Sequence, residues 1–168
     1  TPTEEELHKR DRLASQLGLS PVVCLLLVQR GLTTVEEVKK FFKPSLNDLH
    51  DPFLMPDMEK AVKRLNKALG NKEKILIYGD YDVDGTTAVS LVYKYLRPYS
   101  SALDYYIPDR YDEGYGISYK GINYARENGI TLVISLDCGI KAIEKIEYAK
   151  QLGIDFIICD HHMPDDTL

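Results

Sequence analysis

The sequence of 168 residues predicts an α/β fold, a parallel sheet with helices on both faces, preceded by a helical amino-terminal segment. Residues 1–73 show the apolar spacing of amphipathic helices, whereas residues 74–168 alternate short apolar runs with helical patterns. Strand–helix alternation at this spacing is typical of a parallel sheet with right-handed crossovers. We therefore predict two parts, a helical segment over residues 1–73 and an α/β domain over residues 74–168.

Four helices are predicted in the helical segment, over residues 4–17, 21–29, 34–42 and 58–69. Gly18 follows the first as a C-cap, and Pro21 suits the first turn of the second. Thr34, with Glu37 three residues later, forms a capping box for the third. The fourth carries a single apolar stripe, which predicts that one of its faces is buried.

Four strands and three helices are predicted in the second part. The strands are residues 75–78, 103–107, 131–136 and 156–159, and the helices are residues 86–96, 118–128 and 141–152. The first strand, Ile75 to Tyr78, is apolar at every position. Such a run is typical of a parallel strand that is buried on both faces.

Composition and charge narrow the class of protein. Hydrophobic residues make up 44% and charged residues 28% of the chain, which indicates an ordinary globular protein and excludes a disordered one. Apolar runs are too short to cross a bilayer, and three cysteines without framework spacing suit a reducing cytosol. We predict a cytoplasmic protein with no membrane partner. Residues 74–168 hold 15 acidic against 9 basic residues. A protein that binds nucleic acid mainly through its net charge should instead be basic.

Acidic residues and histidines follow three of the predicted strands. They are Asp80, Asp82 and Asp84 after the first strand, Asp137 after the third, and Asp160, His161 and His162 after the fourth. Ligands of such sheets bind beyond the carboxyl ends of the strands. If these strands are neighbours, their ends lie about 5 Å apart per step. Asp82, Asp84, Asp137 and His161 then converge on a pair of divalent cations, since Mg²⁺ and Mn²⁺ prefer carboxylate oxygens.

Each of these signals has an alternative interpretation. The aspartate loop could be a helix-capping turn, Asp137 an ordinary turn residue, and the two histidines incidental. An EF-hand is excluded, because position twelve counted from Asp80 is Leu91 rather than glutamate. Residues 82–86 also match the D-x-D-G-T nucleophile motif of haloacid dehalogenases, but there the first aspartate directly follows its strand, whereas residues 79–81 intervene here, and the two histidines would be unexplained. A structural zinc site formed by Cys138, Cys159, His161 and His162 is disfavoured, because the sequence lacks the paired cysteine spacing of such sites.

Three motifs in this order, G-D-Y-D-V-D-G-T-T, S-L-D-C-G and I-C-D-H-H-M-P, resemble the DHH phosphoesterase superfamily. The segment I-P-D-R-Y-D-E-G-Y-G at residues 107–116 resembles the RecJ branch of that superfamily. The stretches L-G-L-S-P and D-P-F-L-M-P-D-M-E-K-A also look like amino-terminal sequence of that branch. Other branches place a histidine near the first motif, where this chain has Tyr78. The resemblance covers nearly the whole chain.

The resemblance implies a role for each residue at the strand ends. Asp82 and Asp84 would bind different metals, Asp137 would bridge them, and His161 would bind the second. Asp80 and Asp160 would be supporting acids, and His162 would face the scissile phosphate. Arg110 and Tyr115 are our candidates for contacts with DNA, the guanidinium for a phosphate and the ring for base stacking. Alternatively, Arg110 belongs to an ordinary exposed loop.

The implied function is that of a metal-dependent exonuclease that digests single-stranded DNA from 5′ to 3′ in recombination and repair, with two Mn²⁺ or Mg²⁺ ions as cofactors. Repair proteins of unspecified identity are possible partners. The superfamily has a further metal-binding aspartate downstream of the histidines, so we expect an incomplete DHH domain that is weakly active or inactive by itself. The alternatives are a DHH phosphatase that acts on oligonucleotides or nucleotides, and a non-catalytic replication scaffold of the same fold.

Overall fold

The computed structural model describes residues 1–166, and the chain forms two compact units, one over Thr1–Leu54 and one that begins at Met55. The first unit contains the helices α1 (Glu4–Leu17), α2 (Pro21–Gln29) and α3 (Val35–Phe42), followed by short 3-10 helices at Leu46–Asp48 and Pro52–Leu54. Thr3 and Thr34 each close a capping box at the start of a helix. Buried apolar side chains from all three α-helices form the core of this unit.

The second unit is an α/β structure. Its elements in chain order are α4 (Met58–Gly70), β1 (Ile75–Gly79), α5 (Val83–Leu96), β2 (Leu103–Tyr106), α6 (Tyr119–Glu127), β3 (Leu132–Leu136), α7 (Ile143–Gln151) and β4 (Asp155–Cys159). The four strands form one sheet in the order β2-β1-β3-β4, and every pairing is parallel. The predicted fold class is confirmed. Within residues 1–166, no helix is both long enough and apolar enough to cross a membrane.

Both faces of the sheet are covered by helices. Side chains alternate along β1, so Ile75 and Ile77 pack with α4 and α5, whereas Leu76 and Tyr78 pack with α6 and α7. β1 and β3 are buried at every residue. Burial on both faces explains why these two strands are continuously apolar rather than alternating.

The sheet order places a crevice at the carboxyl ends of β1 and β3. The chain leaves β1 through α5 on one face and leaves β3 through α7 on the other. Helices that diverge from adjacent strands in this way leave a topological switch point, where ligands of α/β sheets bind. The acidic loops after β1 and β3 therefore lie at the position where a ligand site is expected.

α4 packs on the sheet, although the sequence analysis placed it in the helical segment. Leu65, Ala68 and Leu69 lie in the same apolar cluster as Ile75 and Ile77. The apolar stripe of this helix is buried against the sheet, because the turn at Gly70–Glu73 leads directly into β1. The boundary between residues 73 and 74 stays a prediction about the extent of the α/β domain.

Arg64 on α4 links the helix to the sheet. Its guanidinium bonds Glu73 at 2.7 Å and Asp155 at 2.6 Å, and it also donates to the Thr131 carbonyl. The hydrogen bond from Arg64 is the largest of the effects that hold the pKa of Glu73 below its usual value. The side chains of Arg64 and Glu73 are both more than four-fifths buried. Loss of either partner therefore leaves a poorly solvated charge.

We expect Arg64→Gln to lower the free energy of unfolding by about 2 kcal/mol at neutral pH, since it removes charge-assisted hydrogen bonds. A carboxyl with a lowered pKa stabilises the fold above its unfolded pKa and loses that effect as the pH falls through its folded pKa. The difference from wild type should therefore shrink below about pH 4. Urea unfolding at several pH values measures this difference. The control is Lys63→Gln, which removes an exposed ion pair. Equal stabilities at neutral pH would contradict the prediction.

Candidate metal centre

The loop after β1 is shaped by a helix start and by two glycines. The sequence analysis began α5 at Thr86, but the helix begins at Val83, because the Asp82 side chain caps it and accepts from the Gly85 amide at 2.9 Å. The interpretation of Asp82 as a helix cap is therefore confirmed. The second carboxylate oxygen of Asp82 has no hydrogen-bond partner among the described residues. Asp84 lies in the first turn and is exposed. A helix start also favours negative charge electrostatically.

Asp80 is buried at the base of this loop. Only 1% of the residue is exposed, and its carboxylate accepts one long bond, from the Gly116 amide at 3.4 Å. A buried carboxylate normally has several strong partners, because leaving water costs it solvation. The Asp80 carboxylate therefore has room for a further partner, and a cation is the chemistry that would satisfy it.

Asp137 and His161 meet at the ends of β3 and β4. His161 Nε2 lies 2.9 Å from Asp137 Oδ1 and 4.0 Å from Asp84 Oδ2, so residues that follow β1, β3 and β4 come together. Asp137 has a left-handed backbone with φ of 61°, and its side chain is only 8% exposed. His161 is largely exposed. The pair thus has one buried acid that is held in place and one accessible imidazole.

His162 is held by Asp160 on one side and contacts Tyr115 on the other. The buried Asp160 carboxylate accepts from the Ile140 amide at 2.9 Å and bonds His162 Nδ1 at 2.7 Å. The hydrogen bond to Asp160 raises the pKa of His162, and burial and nearby carboxylates raise the pKa of Tyr115 to about 12. The Tyr115 hydroxyl lies 3.2 Å from His162 Nδ1 and donates to the Asp137 carbonyl at 3.2 Å. Tyr115 therefore joins the loops at two strand ends.

Residues 107–118, the β2–α6 loop, bring Arg110 and Tyr115 to the same edge of the sheet. The Arg110 guanidinium lies 5.3 Å from the centre of the Tyr81 ring, a cation–π contact with the aspartate loop. Arg110 is exposed, so its charge is available to a ligand. The structure thus places a basic residue beside a cluster of acids.

The donor set at this edge fits divalent cations. One ligand atom each from Asp137, His161 and His162 lie within 4.8 Å of one another, and Asp84 adds a carboxylate at 4.0 Å from His161. Carboxylate oxygens with imidazole nitrogen suit Mn²⁺ and also Mg²⁺. His162, which the resemblance assigns to the phosphate, thus lies within reach of the same ion as Asp137 and His161. Burial raises the pKa of Cys138 to about 12, which disfavours the free thiolate.

A family model described as "DHH family, N-terminal domain" matches residues 74–168. The chain belongs to the DHH family. This match decides against the haloacid-dehalogenase alternative, and it begins at the residue where the sequence analysis placed the α/β domain. The DHH domain therefore supplies every acid and histidine of the candidate metal centre, since all of them follow residue 74.

Curated relatives and solved structures agree with the resemblance to the RecJ branch, which is confirmed. The single-stranded-DNA-specific exonuclease RecJ of Bacillus subtilis (strain 168) is 43% identical over 156 residues, covering 93% of this chain and 20% of the relative. A crystal structure of exonuclease RecJ bound to manganese is 30% identical with a TM-score of 0.62, covering 68% of this chain and 30% of that one. The chain thus spans about a fifth of the length of the Bacillus relative.

A third match extends over both units. RecJ from Thermus thermophilus, solved in complex with Mn²⁺, has a TM-score of 0.70 and covers 96% of this chain and 22% of that one. Its identity of 24% shows the fold alone.

Sequence reasoning missed three residues that shape this edge. Tyr81 contacts Arg110, Glu113 binds both ends of the β2–α6 loop, and the Tyr78 hydroxyl contacts that loop from beneath. The sequence offered one signal for Glu113, because it is the only glutamate in the segment at residues 107–116. The hydrogen-bond partners of Glu113 could not be predicted from the sequence, because they depend on how the loop folds back on β2.

Proposed function

We propose that this chain is part of a metal-dependent exonuclease that hydrolyses phosphodiester bonds of single-stranded DNA from 5′ to 3′, in recombination and repair and in the cytoplasm. The RecJ relatives are named as single-stranded-DNA-specific exonucleases, which supports the substrate and the reaction. The observation that carries the proposal is the meeting of Asp84, Asp137 and His161 at one edge of the sheet. Three strand-end loops contribute to it, and such a cluster of acids needs cations to offset its repulsion.

The proposed ligands are Asp82, Asp84, Asp137 and His161, with two Mn²⁺ or Mg²⁺ ions as cofactors. Asp137 is the proposed bridge, because it is buried at the centre of the crevice between β1 and β3. Asp82 offers the oxygen that does not cap α5, and the exposed Asp84 and His161 face solvent. A bound pair of cations supplies an activated water and offsets the charge of the attacked phosphate and of the leaving oxygen.

Three further residues support the reaction without being assigned to a metal. Asp160 orients the His162 ring through Nδ1, and the other ring nitrogen, Nε2, lies 3.4 Å from the Tyr115 hydroxyl on the exposed side of the site, where the proposed phosphate would bind. Asp80, buried under the loop two residues before Asp82, is the second proposed supporting acid. These contacts fix the geometry before substrate arrives, so little reorganisation is needed when it binds.

Arg110 and Tyr115 are the proposed contacts with DNA. The guanidinium offers a fork for a phosphate, and its position over Tyr81 keeps it beside the metal centre. Half of the Tyr115 residue is exposed, although its hydroxyl is held by Asp137 and His162, so part of the ring is open to a base. A strand whose terminal phosphodiester lies at the acids would pass both side chains.

The full-length protein with Mn²⁺ should release mononucleotides from single-stranded DNA, and chelation of the metal with EDTA should abolish release. A phosphorothioate block at the 5′ end should prevent digestion, whereas a block at the 3′ end should not. Gel analysis of end-labelled strands measures both, and duplex DNA of the same sequence is the control. Digestion confined to very short oligonucleotides would favour the phosphatase alternative, and metal binding without any hydrolysis would favour the scaffold.

A further inference from the structure

The β2–α6 loop holds both candidate DNA contacts, and its own backbone hydrogen bonds form a local turn, in which the Glu113 and Gly114 amides donate to the Asp109 carbonyl, rather than a strand or helix. Arg110 and Tyr115 lie on it, between β2 and α6. Loops of this kind are usually among the more mobile parts of a protein. Side chains that must meet a substrate at a defined distance from a metal centre therefore need another means of fixation.

Glu113 joins both ends of this loop through a single carboxylate. It accepts from the Asp109 amide at 2.9 Å, from the Tyr106 hydroxyl at 2.9 Å, and from the Ser118 hydroxyl. Ser118 in turn caps α6 by accepting from Gly121 at 2.9 Å. Burial raises the pKa of Glu113, but these hydrogen bonds outweigh it and the pKa lies below its usual value. The carboxylate is thus charged, and charge-assisted bonds are the strong ones.

Tyr78 joins the same loop to β1. Its side chain is fully buried, and its hydroxyl donates to the Gly116 carbonyl at 2.9 Å and accepts from the Ser118 amide at 3.1 Å. The ring also fills the space beside Gly121, where a Cβ would come within 2.6 Å of it. Tyr78 lies two residues before Asp80 on the strand that leads into the aspartate loop. Tyr78 therefore fixes the β2–α6 loop relative to the aspartate loop that follows β1.

The consequence is a defined position for Tyr115. Gly114 and Gly116 on either side of it have positive φ values of 75° and 80°, and the Tyr115 hydroxyl reaches the Asp137 carbonyl at 3.2 Å. We propose that Glu113 and Tyr78 are positioning residues that hold the β2–α6 loop against the sheet, so that Arg110 and Tyr115 meet single-stranded DNA at a fixed distance from the metal centre. This inference rests on the proposed function.

The test uses Glu113→Gln and Tyr78→Phe in the full-length protein, with Asp112→Asn as the matched control. Asp112 lies on the same loop and is exposed, and its side chain accepts no hydrogen bond among the described residues. Both test variants should raise KM for single-stranded DNA about tenfold, since each loses hydrogen bonds worth roughly that much. The affinity for Mn²⁺ by calorimetry should stay at the wild-type value. Amide hydrogen exchange over residues 107–118 should be faster in both test variants and unchanged in the control.

The outcomes separate this inference from the proposed function. A wild-type KM in Glu113→Gln, with the wild type active, would overturn the inference alone. A loss of Mn²⁺ affinity would also overturn it, because the residues would then act on the metal centre. Faster exchange without any change in KM would show a structural role only, against the inference. A full-length wild type that binds Mn²⁺ but digests no single-stranded DNA would overturn the proposed function and this inference together.

Discussion

Asp137→Asn is expected to lower Mn²⁺-dependent hydrolysis of single-stranded DNA at least about a thousandfold in the full-length protein, at the upper end of the losses measured for single groups that stabilise a transition state. The substitution keeps the shape of the side chain but replaces one acceptor oxygen with a donor and removes the charge. Asp137 is buried at the centre of the crevice and bonds His161 at 2.9 Å. No other described carboxylate is placed to bond His161 as closely, so its loss should not be compensated.

Two measurements check this expectation. Single-turnover digestion gives the rate, and calorimetric titration with Mn²⁺ should show at least one site lost. Thermal unfolding in EDTA should be close to wild type, because removing one acid from a cluster of acids also removes repulsion. The control is Asp166→Asn, an exposed aspartate after the histidines. Near-normal hydrolysis by Asp137→Asn would refute the proposed bridge, and a similar loss in Asp166→Asn would point to a general charge effect.

Gly85→Ala is expected to destabilise the α/β unit by about 2 kcal/mol or more, within the range for overpacked sites. A Cβ at this position would lie 2.5 Å from the Asp80 carbonyl oxygen and 2.6 Å from the Asp80 amide nitrogen. Both are backbone atoms, so no side chain can rotate away. Alanine favours a helix over glycine by about 1 kcal/mol, which offsets only part of the cost. The backbone must shift where Asp80, Asp82 and Asp84 are presented, so Mn²⁺ affinity should fall as well.

Gly70→Ala is the matched control for this substitution. Gly70 is the last residue of α4, has no positive φ, and has nothing within 4 Å of a built Cβ. It should leave stability unchanged or raise it slightly, because alanine loses less backbone entropy than glycine on folding. Chemical denaturation with and without Mn²⁺ compares the two variants. A Gly85→Ala protein as stable as wild type would show that α5 moves away from β1 at little cost.

Most of the fold could be predicted from apolar spacing. β1 and β3 read as continuous apolar runs because both of their faces are buried, and α1 to α3 begin or end where caps, a proline or a glycine are found. The start of α5 could not be predicted. The N-cap and the first turn contain Asp82, Asp84 and Gly85, residue types that are typical of a loop. Only the structure shows that Asp82 caps the helix and that Gly85 packs against the Asp80 backbone.

The candidate site could be predicted as a set of residues but not as a set of contacts. Acids and histidines directly after apolar strands can be located in the sequence, because strand ends follow from local pattern. Which of them touch depends on the strand order β2-β1-β3-β4, in which β1 pairs with a strand more than fifty residues later in the chain. The bond between Asp137 and His161 is a result of that order.

The sequence by itself determined the α/β class, the family and the chemical types at the strand ends. Only the tertiary structure decided that Asp80 is buried, that Tyr115 joins His162 to Asp137, and that Glu113 and Tyr78 hold the loop beside them. The physical reason is that patterns of period two and 3.6 report on neighbours along the chain. Burial and hydrogen bonding between distant loops arise only when the sheet brings the ends of its strands together.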